Sequence, residues 1–169
     1  MRLHLLMAVA LVSCRAQEKS QSTRPPVLQY ASSFDSLVGN LLTTLPPRFR
    51  AQAGMLLDSV HGSGWGMEWL VRDRVNYFTL DSLDHYSNGK PEWRVVAATY
   101  LSELAPGEQV VWADCAVDGK PDPSVAAVGI WRDTALTEVR YATRPQLSSR
   151  RFEVLAADRI SCVIAEDRN

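Results

Sequence analysis

Histidine is almost missing from this 169-residue chain, with 3 in all, and so is any apolar run long enough to cross a bilayer. No H-E-x-x-H, Walker loop, dinucleotide fingerprint or G-x-S-x-G elbow occurs, which leaves histidine-based zinc catalysis, phosphate cradling and a serine-hydrolase elbow without their residues. Neither a metal nor a cofactor is expected. A basic face is lacking too. The 18 Lys and Arg are balanced by 19 Asp and Glu for a net charge of -1, and the arginines are interleaved with acids, so a nucleic-acid partner has no electrostatic footprint. What the chain does have is 46% hydrophobic and 22% charged residues, enough apolar material for one compact domain.

The first stretch sets the address. Arg2 is followed by a short apolar centre from Leu3 to Val12, interrupted only by His4, and then by Ser13 and Cys14. A charged start, a short apolar centre and a small residue at the cut are the layout of an export leader, and a spanning helix needs about 20 apolar residues. Leu11-Val12-Ser13-Cys14 resembles the lipobox of bacterial lipoproteins. The resemblance implies cleavage before Cys14, an acylated Cys14 and a membrane partner reached through lipid. Arg15, in place of Asp, resembles the outer-membrane sorting preference of double-membraned bacteria. Residues 1–13 are thus expected to be a signal peptide and 14–32, polar and carrying Pro25-Pro26, a flexible tether. Residues 33–169 would form the domain.

An exported chain also fixes the reading of its cysteines. With Cys14 lipidated, Cys115 and Cys162 remain as an even pair for a disulfide.

Phe34, Leu37, Val38, Leu41, Leu42 and Leu45 follow a helical stripe, stopped by Pro46-Pro47. Phe49, Ala53, Leu56, Leu57 and Val60 suggest a second helix that ends at Gly62 and Gly64. Between Trp65 and Gly89 neither period wins: Glu68 to Thr79 reads as a short helix or as a strand. After Pro91 strands are expected near Glu92–Leu101, Val110–Val117, Val125–Arg132, Leu136–Ala142, Arg151–Leu155 and Arg159–Ala165, separated by turns such as Asp118-Gly119. Cys115 and Cys162 share the apolar phase of their strands. A bridge between them requires the sheet to curl or reorder, because bridged Cα atoms must lie about 4.4 to 6.8 Å apart. The expected fold class is α+β: two N-terminal helices packed on a curved antiparallel sheet or partial barrel of about five to six strands.

Chemistry-bearing residues are sparse. His61-Gly62-Ser63-Gly64-Trp65 faintly resembles the oxyanion loop of lipases and esterases, but a helix C-cap and glycine turn explain it. Asp114, Asp118 and Asp122 offer oxygens at a spacing that is not an EF-hand; turn chemistry accounts for them. Asp81, Asp84 and His85 form the only close carboxylate–histidine grouping, with no evident nucleophile beside it. Trp112 lies opposite Cys115 in strand phase, either exposed or beneath the helices. Trp112, Asp118 and Asp122 are the candidate binding residues. The expected function is a lipid-anchored cell-envelope module, non-enzymatic, binding an envelope protein or a wall glycan. The alternatives are a periplasmic hydrolase using Asp84 and His85, or an inhibitor of a wall-degrading enzyme.

Overall fold

The computed structural model describes residues 37–57 and 64–163. The leader, Cys14, the tether, His61 and residues 164–169 lie outside the described residues.

The expected α+β class is not what forms. Described residues are nearly all β, in two antiparallel sheets, neither of them a closed barrel. Where two helices were expected there is one 3-10 turn, Leu42–Thr44, and then a strand, β1, Arg50–Leu56. Gly39, at φ 90°, breaks the first stripe, and the backbone bonds sideways instead: Gly39 N–H donates to the Val95 carbonyl at 2.8 Å, and Val95 N–H to that of Asn40 at 3.0 Å. Leu37 is then 1% exposed while Val38 is 41% exposed, so the stripe is only partly used. In the second stretch Ala51, Ala53 and Met55 also fit a period of two. Gly54 at the centre costs a helix about 1 kcal/mol relative to alanine, and the neighbouring strand offers a full ladder of partners.

β1 pairs with β2, Trp65–Arg72, which pairs with β3, Val75–Ser87, and then β4, Lys90–Leu101, a meander in chain order. The unreadable stretch is therefore two strands. Asn88 and Gly89 turn β3 into β4 with φ of 51° and 76°, both positive as a type I′ hairpin requires.

The second sheet contains β5, Glu108–Trp112; β6, Cys115–Val117; β7, Lys120–Pro121; β8, Ala126–Arg132; β9, Ala135–Gln146; β10, Arg151–Val154; and β11, Ile160–Val163. Its order is β5-β8-β9-β11-β6-β7, with β10 also on β9. The single strand expected over Val110–Val117 is split, because Ala113 takes φ 71°. On a flat sheet β5 and β6 would stand about 19 Å apart, whereas the three Cα steps from Trp112 to Cys115 span at most about 11 Å. The sheet must curl. No ladder joins β5 to β6 among the described residues, so it stays open. Gly129 sits at a register break between β8 and β9, where a Cβ would lie 2.7 Å from the Thr137 carbonyl oxygen. Only glycine fits that approach.

β11 returns between β9 and β6, and Cys162 stands opposite Cys115 in the ladder. The two are bridged, with Cα atoms 4.0 Å apart, just below the lower end of the usual disulfide span of about 4.4 to 6.8 Å. The bridge expected between the two remaining cysteines forms, with both in the apolar phase of their strands.

Met67, Phe78, Leu80 and Leu101 of the first sheet meet Ala126, Val128, Tyr141 and Phe152 of the second in a shared core. The disulfide belongs to another cluster, with Val117, Val125, Leu136 and Ile160, inside the curl. Leu37, Leu70, Tyr77 and Val95 make a third on the outer face of the first sheet.

Candidate functional site

Trp69, Trp112 and Trp131, far apart in sequence, line one cleft of about 290 Å³ together with Ala53 of β1 and Gln109 to Val111 of β5. Ladder phase explains the convergence. Trp69 projects from β2 toward the shared core. Trp112 lies with its ring 6.4 Å from that of Phe78, so it is half-buried and packs between sheets rather than under helices. Four consecutive β5 residues line the cleft, and successive strand residues face opposite ways, so the cleft wraps over the edge of the strand. No described strand pairs with the outer edge of β1 or β5. Two indole donors are already used: Trp69 Nε1–H donates to Asn76 Oδ1 and Trp131 Nε1–H to the Asp133 carbonyl, each at 3.0 Å. Apolar ring faces bordered by unpaired sheet edges are what this cleft offers a ligand.

The other sequence candidates separate. Asp118 is held by Arg159, whose Nε donates to both carboxylate oxygens at 3.0 Å; the guanidinium keeps the Asp118 carboxyl below its ordinary range. Asp122 accepts from the Ser124 hydroxyl at 2.5 Å and from Arg144 Nη1 at 3.1 Å. Asp114 is exposed. Asp118 and Asp122 thus serve separate local contacts, and the three aspartates are not gathered into one site. No group of three or more metal-ligating side chains occurs among the described residues.

Asp84 is the extra residue of a register break between Leu83 and His85, which turns it toward Arg94. Arg94 Nε and Nη2 donate to its two oxygens at 2.7 and 3.0 Å, and His85 Nδ1 lies 2.9 Å away. Those bonds, Arg94 first, draw the Asp84 carboxyl down to about 2. A carboxylate so committed to a guanidinium is a poor orienter for a catalytic histidine. Asp81 goes elsewhere. Its side chain shares the outer face with Thr79, whose hydroxyl donates to Oδ2 at 3.1 Å, and it is 1% exposed. Burial first, and Glu68 also, push the Asp81 carboxyl up to about 8. The Asp81–Asp84–His85 grouping is therefore two unrelated sites.

Sequence reasoning missed Glu68, and it missed the joining of Trp69 and Trp131 to Trp112. The signal lay in ladder register, which sets Gly66 opposite Asp81 and Glu68 opposite Thr79. Composition and motif spacing do not carry it.

No family model matches the chain, and no curated protein or solved structure matches it significantly. No helix among the described residues is long and apolar enough to cross a membrane.

Proposed function

We propose that this chain is a lipid-anchored cell-envelope protein whose β-domain is a non-enzymatic binding module, taking an extended apolar segment of another envelope protein in the tryptophan cleft. The observation that carries the reading is three tryptophans converging on one cleft between two sheet edges that no described strand pairs. An added strand would gain backbone hydrogen bonds at such an edge and place alternate side chains against the rings. Apart from the indole N–H groups, Gln109 is the only polar side chain lining the cleft among the described residues, which favours an apolar peptide over a glycan. The leader, the lipobox-like Leu11-Val12-Ser13-Cys14 and the buried disulfide support an envelope address.

The test has two parts. Mass spectrometry of the protein from its native host should find a terminus starting at acylated Cys14; an intact, unacylated Met1 start removes the anchor. A photoreactive group placed at Gln109 should cross-link a discrete envelope protein, and Trp131→Ala should abolish the adduct. Competition by wall glycan fragments, or an adduct indifferent to Trp131, rejects the peptide reading.

A further inference from the structure

A second cleft lies on the outer face of the first sheet, apart from the tryptophan cleft, and holds about 230 Å³. We infer that it binds a small organic ammonium ion, an alkylammonium about as long as a lysine side chain, between the carboxyl groups of Glu68 and Asp81 and the ring of Trp93.

Four observations converge. The strand register sets Glu68 opposite Thr79 and Gly66 opposite Asp81, so both carboxyl groups emerge on one face from adjacent strands. Asp81 is 1% exposed, yet its Oδ1 has no hydrogen-bond partner among the described residues, and the residue lines the cleft. Buried polar atoms left unpaired are rare because each forfeits its full hydration. An oxygen kept in that condition at the wall of a cleft is a place for an incoming donor.

The space, moreover, is made by glycine. A Cβ on Gly54 would come 2.9 Å from Glu68 Oε2, and one on Gly66 would reach 3.6 Å from the Trp93 ring. Glycine weakens a strand interior, and its usual meaning there is close approach by a backbone or a ligand. Gly54 stands opposite Glu68 and Gly66 opposite Leu56 in the β1–β2 ladder, so each strand leaves one position of the cleft floor without a side chain.

Finally, no basic side chain of the neighbourhood fills the role. Arg94 is bound to Asp84 and to the Gly39 carbonyl, and Arg72 lies over the rings of Phe49 and Tyr77. The remaining walls are apolar: Leu42, Met55, Leu56, Met67 and Trp93. Two carboxyl groups with an aliphatic and an aromatic wall suit an ammonium head on an apolar stem, with a cation–π contact from the indole. A hard divalent cation wants about six or more oxygens, and this lining does not gather them.

The two carboxyls also give the binding a pH signature. Burial raises Glu68, and burial with Glu68 raises Asp81 to about 8. β1 contributes Gly54, Met55 and Leu56 here, β2 contributes Gly66 and Met67 beside Glu68, β4 contributes Trp93 and the 3-10 turn contributes Leu42, none of them charged except Glu68, so Glu68 is the charge that acts on Asp81. An entering ammonium therefore displaces the Asp81 proton to solvent.

Calorimetric titration of the purified chain with n-pentylammonium should show saturable one-to-one binding that n-pentanol does not reproduce. The heat should vary with the ionisation enthalpy of the buffer, reporting proton release. Affinity should fall about tenfold for each pH unit below 8, and at least tenfold in Glu68→Gln and in Asp81→Asn. Glu68 is only half-buried, so its variant folds even if the Asp81 variant does not. Absence of saturable heat between pH 7 and 9, equal binding of n-pentanol, or unchanged affinity in Glu68→Gln overturns the assignment. Loss of the tryptophan-cleft adduct bears on neither outcome, since the two sites share no residue.

Discussion

The two sheets solve the same problem by opposite means. The first is a meander in which every strand pairs with its neighbour in sequence, and among the described residues its ladders owe nothing to covalent help. The second pairs β6 with β11 across more than 40 residues and fastens that pair with the Cys115–Cys162 bridge, at a sequence separation of 47. Its periphery is tied by arginines: Arg140 to Glu108, Arg144 to Asp122 and Glu153, Arg159 to Asp118. Local pairing closes short loops at little entropic cost; distant pairing must offset much more. The sheet built on distant pairing carries the covalent bridge; the meander, tied by Arg94 to Asp84 but with no disulfide among the described residues, holds a buried carboxyl oxygen that lacks a hydrogen-bond partner there.

Removing the bridge should break this contrast most sharply. The chain-entropy model values a loop of this length at about 4 kcal/mol. In a Cys115→Ser, Cys162→Ser double variant, hydrogen exchange should accelerate first in β6 and β11, with β2 and β3 keeping their protection. Simultaneous loss in both sheets would mean that they unfold as one unit.

Next in size comes a pH effect confined to the first sheet. Asp81 is raised to about 8 when folded, far above its unfolded value of about 3.9, so the folded state holds a proton that the unfolded state loses. Stability from this group is full below pH 4 and is lost as pH climbs toward 8, by about 3 kcal/mol between pH 5 and 7. Asp81→Asn should flatten that slope in urea unfolding measured across the range. A slope that persists assigns it to other groups.

Gly129→Ala tests the second sheet without touching the bridge. With the Thr137 oxygen 2.7 Å from the new Cβ, β8 and β9 must separate, for about 2 kcal/mol, read as a lower thermal midpoint. The smallest effect belongs to the exposed Asp118–Arg159 pair. Its carboxyl is depressed by Arg159, so its contribution is present above the unfolded pKa and disappears as pH falls through the depressed folded value; Arg159→Ala should shift the midpoint least and only at low salt.

Much of the second sheet was legible because its signals are local. Asp118 and Gly119 turn with φ of 50° and 75°, Val125–Trp131 is an unbroken apolar run bounded by turn residues, and Cys115 and Cys162 are the even pair left once Cys14 is set aside, both in the apolar phase of their strands. The N-terminal helices were misread because Phe49, Ala53 and Leu56 satisfy a helical period while Ala51, Ala53 and Met55 satisfy a strand period in the same residues. Gly54 was the available tiebreaker. Neither cleft was legible. Trp69, Trp112 and Trp131 meet through the packing of two sheets, and Glu68 meets Asp81 through register, quantities fixed by pairing partners rather than by neighbours in sequence.

Strand order also carries a timetable. A chain emerging from its N-terminus can complete the β1-to-β4 meander once residue 101 is free. β6 must wait, its edge uncovered and Cys115 unmated, until β11 arrives at Ile160–Val163. Truncation by even the last described strand would strand half the molecule in that waiting state, with an open edge for other chains to join.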